Sequence, residues 1–239
     1  MSTVGNWRGP NIVKDGLVLY LDPGSPNSYF DKSGTIIKDI SGNNYSGSLV
    51  NGPTYDTGSG GSLVFDGTDD YIDTTLTTNF STADFSLGAI VYPTFDNASF
   101  GRPIIAKAET GGCGTYDFAL EFGRTSNKFS IVVAGGVNYV LYSTSTYVKN
   151  SWYYVSCTRK NLGVNSYLYN LYVNGVLDAT VTGNYYGGNG GKMAIGKYVG
   201  CVVVNSWLGK ISTTQIYNRS LTAAEVLQNY NATKNRFGL

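Results

Sequence analysis

The sequence predicts an all-β fold closed by one short C-terminal helix. Three observations carry that reading. Glycine and tyrosine are the outliers of composition, 31 and 20 of 239 residues, and many turns between short aromatic-rich segments are the mark of a β protein. The run L-Y-N-L-Y-V turns at Asn174-Gly175 and returns as V-L-D-A-T-V-T. Asn-Gly between alternating segments is a strong hairpin signal, because both turn residues need φ > 0. Thr222 and Glu225 stand at capping-box spacing ahead of an apolar face formed by Val226, Leu227 and Tyr230, which starts a helix of about two turns.

The elements follow in order. Residues 1 to about 13 read as an irregular arm, stopped by Gly9-Pro10. Leu17–Asp22 alternates and ends at Pro23-Gly24. Leu63–Phe65 ends at Asp66-Gly67, and Phe85–Tyr92 ends at Pro93. Tyr116–Phe122, Phe129–Ala134, Tyr139–Tyr142 and Trp152–Thr158 come next, then the hairpin, Met193–Ile195 and Leu208–Tyr217. Regular pairing across Asn174-Gly175 sets Leu168, Asn170 and Tyr172 on one face with Leu177, Ala179 and Val181, and that face is assigned to the core. Trp152, Trp207 and Cys157 lie in strand patterns and are expected in the core. No composition break follows the arm, so residues 1–14 form an arm and 15–239 a single domain.

Bulk properties exclude several functions. Seventeen basic residues stand against sixteen acidic ones, a net charge of +1, without the clustered Lys and Arg of nucleic-acid binding. No apolar run is long enough for membrane insertion, and residues 1–10 lack a secretory signal. With no histidine in the chain, His-based metal sites and general bases are excluded. Cys113 and Cys201 adjoin glycines and could pair.

Four segments carry a family resemblance: G-L-V-L-Y-L-D from Gly16, S-L-V-F-D-G-T-D-D-Y-I from Ser62, S-W-Y-Y-V-S-C-T-R leading to L-Y-V-N-G-V, and G-K-I-S-T-T-Q-I-Y-N-R-S-L-T-A-A-E-V from Gly209. Together they resemble the concanavalin A-like lectin/glucanase superfamily, in its laminin G-like or pentraxin-like branch, over residues 15 to about 235. The resemblance implies a two-sheet antiparallel β-sandwich, a jelly roll whose closure would pair the N-terminal strands with the last one. The runs N-I-V-K-D-G-L-V-L-Y-L-D and D-I-S-G-N-N-Y-S-G-S-L-V-N-G-P-T-Y also resemble virion proteins of tailed bacteriophages. That likeness implies synthesis in a host cytoplasm, location in the virion, and capsid or tail proteins as partners.

Family glucanases place three acids on one strand face. The equivalent here is Y-D-F-A-L-E-F, with Asp117, Ala119 and Glu121, so the middle acid is missing. Carboxylates four residues apart on a strand lie about 13 Å apart, beyond the roughly 5–9.5 Å that glycoside hydrolysis uses. The chain therefore reads as a non-enzymatic virion protein, a head decoration or a tail or fibre component displaying a lectin-like domain. The alternatives are a carbohydrate-binding host-recognition module and, more remotely, a glycoside hydrolase.

Three candidate sites remain. Asp66, Asp69, Asp70 and Asp73 crowd one turn, where local backbone hydrogen bonding competes with calcium, which laminin G-like relatives bind and which takes oxygen ligands. Calcium is the one cofactor considered. Asn184, Tyr185, Tyr186 and Asn189 occupy a glycine-rich loop suited to stacking on a cell-surface glycan, to contact with a neighbouring subunit in a homo-oligomer, or to packing on their own sandwich. Trp7 and Arg8 in the arm suit docking onto another protein or folding across the domain's own sheet edge.

Overall fold

The computed structural model describes residues 11–78, 80, 83–98, 100–108, 116–133, 139–184, 191–199 and 205–239, with only the backbone of 108, 116, 117, 139 and 140. In chain order the early strands are β1 (Leu17–Leu21), β2 (Ile36–Lys38), β3 (Ser46–Val50), β4 (Thr54–Asp56), β5 (Ser62–Asp66) and β6 (Tyr71–Thr74). The middle strands are β7 (Phe85–Pro93), β8 (Arg102–Ala108), β9 (Tyr116–Phe122), β10 (Phe129–Val133) and β11 (Tyr139–Tyr142). Then come β12 (Tyr153–Gly163), β13 (Ser166–Val173), β14 (Val176–Asn184), β15 (Lys192–Ile195), β16 (Leu208–Tyr217) and the helix α1 (Ala223–Thr233).

Among the described residues these form two eight-stranded antiparallel sheets. Sheet I runs β14-β13-β12-β7-β16-β5-β4, and sheet II runs β11-β10-β9-β8-β15-β6-β3-β2. Strand β16 closes the sandwich as jelly-roll topology requires. One flank pairs with β7, and the other takes β5 at Leu208–Ile211 and β1 at Thr214–Tyr217.

The other edge of β1 is held by side chains. Asp39 accepts the Tyr20 N–H at 2.9 Å, Ser41 donates to the Val18 carbonyl at 3.0 Å, and Asn43 donates to the carbonyls of Leu17 and Val18 at 2.9 and 3.1 Å. The D-I-S-G-N run thus replaces a neighbouring strand, satisfying backbone groups that would otherwise lack partners.

The inter-sheet core includes Phe85 stacked on Phe118 at 4.5 Å and Trp207 edge-on to Phe95 at 5.5 Å. A second apolar cluster covers the outer face of sheet I, where Tyr154, Tyr172 and Tyr217 pack with Val226 of α1. Ile12 and Val13 are buried in that cluster, so the described end of the arm docks on its own domain. Asn229 of α1 accepts the Val13 N–H at 2.8 Å and donates to the Tyr217 hydroxyl, which donates to the Val13 carbonyl. The capping box is present, and the helix spans 11 residues, a turn longer than expected.

Three expectations need correction. The core face of the final hairpin is the opposite one: Tyr167, Tyr169, Leu171 and Val173 line the inter-sheet core. The register shifts between Leu171↔Ala179 and Tyr172↔Leu177, so Asp178 is an extra residue on β14. This bulge keeps Ala179 and Val181 inward and turns Leu177 out beside Tyr172. Trp152 is half-buried on the outer face, between Tyr92 and Phe237, with its indole N–H donated to Ser59 at 3.1 Å. Finally, β2, β3, β4, β6 and β8 had no sequence signal. Strands β2, β4 and β6 are short and β3 is rich in Gly and Ser, while in β8 Pro103 sits at a register shift, where proline is tolerated.

Two stability predictions follow from local chemistry. The β12–β13 turn puts Val164 and Asn165 at φ 41° and 56°, and Val164 is fully exposed, so a β-branched residue bears left-handed strain with no packing return. Val164→Asn is expected to stabilise by about 1 kcal/mol, raising the melting temperature roughly 2–4 °C. A neutral or negative shift contradicts this. Arg219 grips Glu225 with contacts of 2.6 and 3.0 Å, which holds that carboxyl down at about 2. A depressed folded value stabilises above the ordinary value of 4.5 and fades as pH falls from there toward 2. Glu225→Gln should cost roughly 1–2 kcal/mol at neutral pH after solvent screening, with the gap to wild type closing in acid. Equal losses at both pH values would count against the ion pair.

Candidate functional site

The outer face of sheet II is where an extended strand could present acids to a ligand. Alternation along β9 sends Phe118, Leu120 and Phe122 into the core and puts Ala119 and Glu121 on the opposite face, as the sequence predicts. Of Asp117 only the backbone is described. Glu121 is fully buried and its carboxylate is surrounded. Arg124, in the turn after β9, donates Nε to Oε1 and Nη2 to Oε2, the latter at 3.0 Å. Ser130, opposite on β10, donates to Oε1 at 2.9 Å. Tyr198, in the segment after β15, donates its hydroxyl to Oε2 at 2.6 Å.

The Tyr198 ring lies over Ala106 of β8 and Ala119 of β9, forming a small buried cluster on this face. Alanine at position 119 therefore makes room for a tyrosine where the resemblance would put an acid. Gly101 is needed for the same reason, since a Cβ there would meet the Glu121 carboxyl carbon at 2.6 Å. Both oxygens of Glu121 are engaged, so proton transfer to a sugar oxygen would first break these bonds. The sequence showed Glu121 and its strand face. It did not show Tyr198, 77 residues away, or that Arg124 turns back onto the acid.

At one end of sheet II, Ala108 pairs with both Lys192 and Tyr116, and Val133 pairs with Phe118 and Tyr139. In sheet II, β8 and β9 flanking 109–115, β10 and β11 flanking 134–138, and the start of β15 therefore end together. Asn184, the last residue of β14, is exposed and pairs with Ser166. Tyr185, Tyr186 and Asn189 lie outside the described residues, as do Trp7, Arg8, Cys113 and Cys201. Cys157 is a free, buried core thiol whose pKa burial pushes up to about 12.

A family model described as the concanavalin A-like lectin/glucanases superfamily matches residues 66–227. The chain belongs to that superfamily. No curated protein sequence matches this lectin-like chain. Its fold is similar to domain 4 of AbnA, a GH43 extracellular arabinanase from Geobacillus stearothermophilus, in complex with arabinotriose. There the TM-score is 0.66 at 15% identity, covering 90% of this chain and 98% of that one. The receptor-binding domain of botulinum neurotoxin D gives 0.65 at 16%, covering 91% and 52%. Trypanosoma rangeli sialidase gives 0.63 at 16%, covering 92% and 33%. The chain thus spans about half of the toxin domain and a third of the sialidase, and at these identities the likeness is one of fold.

The β5–β6 turn of this superfamily member holds the acidic cluster. Asp66, Asp69 and Asp70 each bring a carboxylate oxygen within 4.8 Å of the others, while Asp73 is on β6 and pairs with Lys192 at 3.0 Å. Turn chemistry accounts for part of the cluster. Asp66 accepts the Thr68 N–H at 2.8 Å, which lowers its pKa, and Asp70 accepts the Asp66 N–H at 3.0 Å. Yet Asp70 is buried, and desolvation together with its acidic neighbours raises its pKa. Among the described residues none of the three forms an ion pair.

We propose calcium as the ion such a cluster of hard oxygens could hold, with backbone carbonyls and waters completing the shell. Calcium at 100 times its dissociation constant is expected to add about 2.7 kcal/mol, a rise of roughly 5–10 °C. Asp70→Asn should abolish the rise while melting no lower than wild type without calcium. A melting curve that calcium leaves unmoved removes the ion from this loop.

Proposed function

We propose that this chain is a non-enzymatic structural protein of a bacteriophage virion that displays a lectin-like domain. The observation that carries the non-enzymatic part is the locked state of Glu121, the one acid with a described side chain on the β9 face where family hydrolases place three. The arm and D-I-S-G-N-N resemblances support the virion setting, with capsid or tail proteins as partners. Glycan recognition is the second reading, favoured by a neighbour of the same fold that is known in complex with arabinotriose. In this chain it would use the sandwich end marked by Asn184.

Virions from the phage encoding this chain are expected to contain it, detected by peptide mass spectrometry after gradient purification. Absence from the particles contradicts the virion role. The purified protein is expected to release no reducing sugar from arabinan, β-glucan or sialylated glycans. Release above the blank that Glu121→Gln abolishes would make it an enzyme. Binding to one oligosaccharide class on a glycan array, without turnover, would select the second reading.

A further inference from the structure

Asparagine followed by glycine is chemically labile. With no side chain on the glycine, its nitrogen can reach the asparagine carboxamide, and asparagine is among the residues that heat degrades. The chain has three such pairs, Asn51-Gly52, Asn174-Gly175 and Asn189-Gly190, the last outside the described residues. The other two stand in opposite surroundings.

Asn174 is held at both ends. Its N–H donates to the Tyr154 carbonyl at 2.8 Å, and its Oδ1 accepts the Tyr154 N–H at 3.0 Å. The residue is half-buried, and Gly175 lies against α1, where a Cβ would meet Tyr230 at 2.9 Å and Leu227 at 3.0 Å. Turning this carboxamide toward the Gly175 nitrogen breaks the Tyr154 bond in a packed place. Asn51 and Gly52, in the turn between β3 and β4, are both exposed. Among the described residues the Gly52 N–H donates no hydrogen bond, and a Cβ at Gly52 would meet nothing nearer than Asp70 Oδ1 at 3.9 Å. The Asn51 carboxamide donates Nδ2 to the Asp69 carbonyl at 3.1 Å, an exposed bond that water can replace.

We propose that Asn51-Gly52 is a site of spontaneous deamidation from which the fold protects Asn174-Gly175. The Gly52 nitrogen attacks Cγ of Asn51, a C–N bond forms, and the Cγ–Nδ2 bond breaks. The departing NH2 group takes the Gly52 proton and leaves as ammonia. Water then opens the five-membered imide at either carbonyl, giving aspartate or its isoaspartyl isomer. Both products lose the N–H that holds the Asp69 carbonyl and add a carboxylate close to three others. Conversion therefore weakens the tie between this turn and the β5–β6 turn as the protein ages.

Warm storage of the full chain, followed by peptide mass spectrometry with fragment-ion assignment, tests this. Asn51 is expected to convert at least about tenfold faster than Asn174, because reaction at Asn174 must first release the Tyr154 bond. In denaturant the two rates should converge, since each pair follows a valine and both are then solvated. Fresh Asn51→Asp protein should melt roughly 2–4 °C below wild type in the presence of a chelator. Asn51 that stays intact in the folded chain while it converts in denaturant, equal folded-state rates at Asn51 and Asn174, or an Asn51→Asp variant as stable as wild type would each overturn the proposal.

Discussion

A carboxylate taken wholly out of water must be met by charge and by hydrogen bonds, or the fold loses several kcal/mol. Glu121 imposes that constraint on sheet II. Its partners come from three places: the turn after β9, the facing strand β10, and the segment after β15. Satisfying them sets the Arg124 turn, requires small residues at 106 and 119 beneath the Tyr198 ring, and leaves no room for a side chain at Gly101. Around Glu121 the outer face of sheet II is occupied by the side chains of Tyr198 and Arg124.

The same economy governs sheet I. Its outer face would expose Tyr154, Tyr172 and Tyr217, and the chain covers them with α1 and with Ile12 and Val13. Polar tips within that layer are satisfied through Asn229, which joins the helix, the arm and β16 in one set of bonds. Thus the Glu121 patch of sheet II is covered by an ion pair and a tyrosine, and the outer face of sheet I by a helix and an arm.

Much of the fold was legible in the sequence because it rested on local rules. The Asn174-Gly175 hairpin, the alternation of β9 and the capping box at Thr222–Glu225 needed only turn chemistry and period, whereas the pairing of the last strand with Leu17–Leu21 followed from the family resemblance alone. The core face of the hairpin was misread because one inserted residue, Asp178, inverts the alternation. Its cause, a carboxylate holding the 144–147 turn, is a tertiary contact. Strands such as β2 and β6 carry too few apolar residues to announce themselves and exist because neighbours pair with them. The site was legible to the extent of Glu121 and its missing middle acid. Tyr198, which covers Glu121 on that face, is distant in sequence and showed no pattern.

The central claim is that Glu121 holds the structure together and does not face a ligand. A double-mutant cycle of Glu121→Gln and Tyr198→Phe, read by denaturant unfolding, tests it directly. The account predicts that each single change costs roughly 2–4 kcal/mol and that the double change costs less than their sum, because both remove one shared interaction. Full stability in Glu121→Gln, or strict additivity of the two changes, would contradict it.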